Sequence, residues 1–167
     1  MNIIVTSKAD VRATYFDHQT THILSILDHD EDFAIPDYIS KKNWKRFNCY
    51  DTHDVTSSKA PTKKLVKEIL DWAKDLPEDA NLLVHCYAGI SRSTAIAMAI
   101  MIQKYGVRSI DHAIDHISSM RRVCAPNKLI TQYADDILGC NGEFHFKAQS
   151  RVQYINLIKL AHAKEVG

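Results

Sequence analysis

The sequence has little that bends, crosslinks or spans a membrane. Five glycines and four prolines among 167 residues form no Gly- or Pro-rich tract to read as a linker, and no internal repeat or low-complexity segment interrupts the chain. The four cysteines, at positions 49, 86, 124 and 140, show no CxxC spacing, so neither a thiolate metal site nor a disulfide framework is expected. No apolar run approaches the roughly 18 residues that a membrane helix needs. The start, Met1-Asn2-Ile3-Ile4-Val5, lacks the basic region and cleavage site of a signal peptide, which makes a cytoplasmic protein the expectation. Charge of one sign is also missing: 21 Lys and Arg balance 20 Asp and Glu at a net +1, which argues against a general polyanion binder, and the aromatics do not suggest a nucleic-acid groove. What remains is 46% hydrophobic and 25% charged, long enough for one well-buried core and too short for two ordinary domains, so a single domain over residues 1–167 is expected.

Apolar periodicity predicts strands at Asn2 to Thr6, His22 to Leu27, Trp44 to Tyr50 and Asn81 to His85. Helices are predicted at Lys8 to Phe16, Pro61 to Leu76, Arg92 to Tyr105, Ser109 to Arg121, Asn127 to Leu138 and Gln149 to Ala163. The second of these opens on Pro61, carries Leu65, Val66, Ile69, Leu70, Trp72 and Ala73 on one side, and stops at Pro77. Strands alternating with helices imply an α/β fold with a mostly parallel central sheet of four to five strands, flanked by helices on both faces. The strand at 81–85 is almost wholly apolar, as a central strand should be, and the helix from Arg92 is apolar on most faces.

Between those two elements stands His85-Cys86-Tyr87-Ala88-Gly89-Ile90-Ser91-Arg92-Ser93. Five residues between a cysteine and an arginine can wrap a loop around a tetrahedral dianion, with the amides of Tyr87, Ala88, Gly89, Ile90, Ser91 and Arg92 pointing inward and the following helix aiming its positive end at the same spot. Such a nest binds phosphate and favours the nucleophilic thiolate of Cys86. Arg92 adds a planar fork that grips two phosphoryl oxygens, which the point charge of a lysine cannot copy. Gly89 permits a turn that a side chain would obstruct, and Ser93 places a hydroxyl where it can donate to the sulfur.

His-Cys, five residues, Arg, Ser resembles the signature of the cysteine-dependent protein tyrosine phosphatase superfamily, and the small size of the chain resembles its dual-specificity branch. Within that branch HCYAGISRST, with Ala125-Pro126-Asn127, Ala134-Asp135 and Leu138-Gly139, is similar to compact bacterial phosphatases. The resemblance runs from about Ile3 to Gly142 and is specific only in the loop and that later segment. It implies a hydrolase acting on phosphotyrosine, and on phosphoserine or phosphothreonine as well, through a phosphocysteine intermediate. It also implies an aspartate about thirty residues upstream as general acid. Asp54 stands 32 positions before Cys86 and Asp51 stands 35 before it; the spacing favours Asp54. By the same resemblance His85 lies beneath the loop and stiffens it, Asn127 supports the loop from a neighbouring segment, and Gln132 is a weaker candidate for placing water. No cofactor and no metal is implied. The partners implied are a phosphoprotein or a small aryl phosphate, with no nucleic acid, no membrane and no second subunit. Relatives directed at phosphoinositides carry lysines inside the loop; Tyr87, Ala88, Ile90 and Ser91 are neutral, which disfavours highly charged substrates.

Other groups carry less. His112 and His116 stand at i, i+4 beside Asp111 and Asp115, but without a third ligand they read as a solvated helix face. His29-Asp30-Glu31-Asp32 reads as an exposed connection, Arg121 and Arg122 as a helix tail close to the pocket rim, and Cys49 as a small core residue rather than a redox partner of Cys86. Two other readings of the loop stay open: a sulfurtransferase of the rhodanese type, which also carries a cysteine ahead of a helix, and a phosphate-binding module without turnover.

Overall fold

The computed structural model describes residues 1–165. Four parallel strands, β1 (Asn2–Ser7), β2 (His22–Leu27), β3 (Trp44–Asn48) and β4 (Asn81–Cys86), form one sheet in the order β1-β4-β2-β3. Parallel neighbours need crossovers, which the helices supply: α1 (Val11–Asp17), α2 (Lys63–Lys74), α3 (Arg92–Tyr105), α4 (Ile110–Ser119), α5 (Lys128–Leu138) and α6 (Glu143–Glu165). The α/β architecture with helices on both faces is the one predicted, and the strand count settles at four.

β4 is hydrogen-bonded on both edges, to β1 with Ser7 opposite Cys86, and to β2 with Ser25 opposite His85. Because side chains alternate across a strand, Leu82 and Val84 enter the larger core with α2 to α6, and Leu83 enters a smaller one with Val11, Ile23 and Ile39. Every residue from Leu82 to Cys86 is buried. α3 follows directly and is buried from Arg92 through Ile102, wedged between the sheet and its neighbouring helices, which explains its lack of a polar face.

Several element ends differ from the prediction by one or two residues, and three helix starts differ by two or more, each for a stated reason. α1 starts at Val11 rather than Lys8, because Ser7 to Asp10 forms a turn and the Lys8 amide is spent on the carbonyl of Tyr87. α2 starts after Thr62, whose hydroxyl accepts from the Leu65 amide at 3.1 Å, so Pro61 lies just ahead of the cap. α6 starts at Glu143, six residues earlier than predicted, because the buried Asp135 of α5 accepts from the amides of Gly142 (2.7 Å) and His145 (2.9 Å). A cap supplied by another helix leaves no local signal.

Candidate active site

The loop from Cys86 to Arg92 leaves the carboxyl end of the central strand, where parallel α/β sheets present their ligand crevice. Four of its carbonyls are tied to groups outside the loop. That of Tyr87 accepts from the Lys8 amide (3.0 Å), that of Ala88 from Arg121 Nη2 (3.1 Å), that of Ile90 from the Ala125 amide (3.0 Å), and that of Ser91 from the Asn127 amide (3.2 Å). In a trans peptide the N–H opposes the C=O, so these contacts turn the amides of Ala88, Gly89, Ser91 and Arg92 the other way, into the loop. Thr94 Oγ1 adds bonds to the carbonyls of Ile90 (2.6 Å) and Ser91 (2.9 Å). Gly89 is required here: it sits at φ +69°, and a Cβ would come within 2.5 Å of the Thr6 carbonyl oxygen on β1.

Cys86 forms the floor of the loop, 1% exposed, with its Sγ 3.2 Å from Ser93 Oγ. Arg92, 3% exposed, donates from Nη1 to Asp28 Oδ1 (2.5 Å) and to the Cys49 carbonyl (2.6 Å), while its Nε is buried without a partner among the described residues. Nε and Nη2 form the edge of the guanidinium that Asp28 and Cys49 leave free, and two adjacent N–H groups on one edge match two oxygens of a phosphoryl group.

His85 lies on the far side of β4 from Cys86, beneath the loop, with its ring centroid 4.8 Å from that of Phe33. Trp44 Nε1 donates to Ser25 Oγ (2.9 Å), and Ser25 Oγ stands 2.7 Å from His85 Nε2. Burial lowers the His85 pKa to about 4, only partly opposed by its bond to the Cys86 carbonyl. The imidazole is therefore neutral near pH 7, and the network assigns the tautomer: the Ser25 hydroxyl donates to Nε2, and Nδ1–H donates to the Cys86 carbonyl at 3.4 Å.

The two aspartates of the upstream segment part company. Asp51 Oδ1 accepts from Ser91 Oγ (2.7 Å) and from Asn127 Nδ2 (2.8 Å), and Asn127 also donates to the Thr52 carbonyl. Asp54 is folded back on its own segment, accepting from the amide (2.9 Å) and hydroxyl (2.7 Å) of Thr56, and these bonds lower its pKa. Cys86, Arg92, Ser93, His85, Asn127 and Asp51 are thus brought together, whereas the recorded hydrogen bonds of Asp54 all stay within its own turn. Gln132 is exposed on α5, Arg121 reaches the loop at Ala88, and Arg122 is exposed. Burial pushes the Cys49 thiol up to about 12, against the pull of Arg92. His112 and His116 stack on α4 at 5.8 Å, and Asp111 and Asp115 pair with Lys147 and Arg151. Among the described residues no group of three His, Cys, Asp or Glu gathers as metal ligands, and no helix is long and apolar enough to cross a membrane.

Sequence reasoning missed Asp28. It stands one residue past β2, at the carboxyl edge of a parallel sheet, and that position was the only available signal.

Known proteins resemble this chain in sequence and in fold. Residues 4–135 match the family model for the dual specificity phosphatase catalytic domain. A protein-tyrosine-phosphatase MKP1 of Arabidopsis thaliana is 26% identical over 150 residues, which is 84% of this chain and 17% of that protein. The human dual specificity protein phosphatase 2 is 43% identical over 58 residues, covering 35% of this chain and 18% of that protein. The chain therefore spans less than a fifth of these curated relatives. The crystal structure of DUSP15 superposes with a TM-score of 0.59 at 22% identity, covering 88% of this chain and 90% of that one, a likeness of fold.

Proposed function

The chain belongs to the dual specificity phosphatase catalytic-domain family, and from that premise we propose that it hydrolyses phosphomonoesters through a phosphocysteine on Cys86. The observation that carries the reading is the placement of Cys86 Sγ at the floor of a loop four of whose carbonyls are bonded to groups outside it, with Ser93 Oγ at 3.2 Å. The Cys86 thiolate attacks phosphorus, forming an S–P bond as the O–P bond to the leaving group breaks. Inward amides and the free edge of Arg92 hold the equatorial oxygens throughout. A carboxylic acid protonates the departing oxygen; the resulting carboxylate then takes a proton from the water that displaces Cys86, and Ser93 donates to the sulfur as it leaves.

The acid in this reading is Asp51. Spacing alone favours Asp54, but Asp54 is held ionised by Thr56, while Asp51 is bonded to the phosphate loop itself through Ser91. His85 stiffens the loop from below, and Asn127 bonds both Asp51 and the carbonyl of Thr52.

The substrates in this reading are phosphotyrosine and phosphoserine or phosphothreonine, in a phosphoprotein or as small aryl phosphates. Neutral side chains at Tyr87, Ala88, Ile90 and Ser91 support them over polyphosphorylated ligands. A single domain over residues 1–167, acting as a monomer in a reducing cytoplasm that preserves the thiolate, completes the proposal. The test is turnover of phosphotyrosine, phosphothreonine and an inositol phosphate side by side, with vanadate as competitor. Release of phosphate from the first two, lost in Cys86→Ser, supports it. Phosphopeptide binding without turnover, or a persulfide on Cys86 after thiosulfate, overturns it.

A further inference from the structure

Arg92 is the one arginine that the proposed chemistry requires, and a free arginine side chain carries rotamer entropy that a productive guanidinium must give up. The chain removes that freedom from one side. Nη1 is spent on Asp28 Oδ1 (2.5 Å) and the Cys49 carbonyl (2.6 Å), two groups at the carboxyl ends of β2 and β3. Asp28 is itself held in place. Arg46 of β3 donates from Nη2 to the carbonyls of Asp28 (3.2 Å) and Glu31 (2.8 Å), from Nη1 to that of Phe33 (3.0 Å), and from Nε to Asn48 Oδ1 (2.8 Å). Lys8 pairs with Glu31 across the same segment. The carboxylate therefore sits on a stapled backbone and faces a guanidinium whose Nε is buried without a partner among the described residues.

We propose that Asp28 is a positioning residue: it holds the Arg92 guanidinium edge-on to the phosphate loop, so that Nε and Nη2 together receive two phosphoryl oxygens. The proposal rests on the phosphatase reading for its kinetics, but its first consequence is for anion binding alone. Asp28 does not touch the reacting atoms in this account; it acts through Arg92. A carboxylate whose only effect were its charge would repel a phosphate dianion, so its removal would tighten binding. A carboxylate that orients the fork does the opposite.

The experiment compares the unsubstituted protein with Asp28→Ala, Asp28→Asn and Arg92→Lys. It titrates inorganic phosphate by calorimetry and measures kcat and KM on an aryl phosphate. Asp28→Ala is expected to weaken phosphate binding about tenfold and to lower kcat by more than it raises KM, because orientation matters most as charge develops in the transition state. Asp28→Asn keeps an acceptor oxygen at the same reach and is expected to recover most of both. In an Arg92→Lys background, Asp28→Ala should add almost nothing, since there is no fork left to orient. Unchanged or tighter phosphate binding in folded Asp28→Ala overturns the proposal. If Asp28→Ala does not fold, Asp28→Glu takes its place, with its longer reach displacing Arg92 and the same losses expected. If the unsubstituted protein binds phosphate but never turns over the ester, the phosphatase reading falls and the calorimetry still decides the role of Asp28. If it binds no phosphate, both fall.

Discussion

Ser91 Oγ donates to Asp51 Oδ1 at 2.7 Å, across 40 positions of chain, and so joins the phosphate loop directly to the segment that follows β3. Asn127 Nδ2 shares the same carboxylate oxygen at 2.8 Å. In the proposed reaction this tie is what assigns the general acid to Asp51, since its carboxylate is bonded to the loop that would seat the phosphoryl group.

The first prediction separates the two aspartates. Asp51→Asn keeps the bond from Ser91 and removes the proton, so kcat on a poor leaving group should fall by about a hundredfold or more, and the basic limb of the pH profile should flatten. Asp54→Asn breaks only contacts to Thr56 and should leave kcat nearly unchanged. Steady-state kinetics from pH 4.5 to 8 decide it; a large loss in Asp54→Asn alone would restore the assignment that spacing suggests.

Ser93 makes a sharper demand, on one step only. Its hydroxyl is 3.2 Å from Cys86 Sγ, where it can stabilise the sulfur as it leaves phosphorus. Ser93→Ala should slow hydrolysis of the phosphocysteine by about ten- to a hundredfold while sparing its formation. Stopped-flow release of an aryl alcohol should then show a burst close to one equivalent of enzyme, and acid quench should trap phosphate on Cys86. A slowed burst phase with no build-up would place Ser93 in the first step instead.

Gly89→Ala tests the loop's architecture. The backbone at φ +69° is costly for alanine, and the new methyl would stand 2.5 Å from the Thr6 carbonyl oxygen and 2.8 Å from the Ser7 amide nitrogen. Neither can retreat, because β1 is paired with β4 along its whole length. Together these should cost about 2–4 kcal/mol of stability, read from urea unfolding, and phosphate binding should be lost even in the fraction that folds.

How much of this was legible in the chain follows the separation of the parts. Leu82 to Ser93 is contiguous, so strand, loop and helix could be read from a dozen neighbouring residues and their apolar pattern. Asp28 and Arg92 are 64 positions apart, and only the strand order β4-β2-β3 makes them neighbours. The start of α6 is set by Asp135 from the preceding helix, which no window on residues 143–149 contains. The two aspartates show what a count of positions does not register: Asp54-Val55-Thr56 carries its own turn signal, an aspartate bonding the amide two residues on, whereas the bond of Asp51 to Ser91 spans 40 positions and has no local signal.

The last prediction concerns pH and has a definite sign. His85 is buried and neutral with a folded pKa of about 4, below its ordinary 6.5. Above pH 6.5 neither the folded nor the unfolded chain protonates it, and its contribution to stability is fully present. Between 6.5 and 4 the unfolded chain accepts a proton that the folded one refuses, so stability falls as pH falls, by at most about 1.4 kcal/mol per pH unit. Below 4 both states are protonated and the loss from this group levels off. His85→Asn, which can still donate toward the Cys86 carbonyl and accept from Ser25, removes that titration. The unfolding free energy of the unsubstituted protein should therefore drop more steeply than that of His85→Asn from pH 6.5 to 4, with the two curves running parallel above 6.5. Parallel curves through the whole range would mean that the folded imidazole takes up a proton as readily as the unfolded one, which a ring accepting from the Ser25 hydroxyl at Nε2 in a buried site should not do.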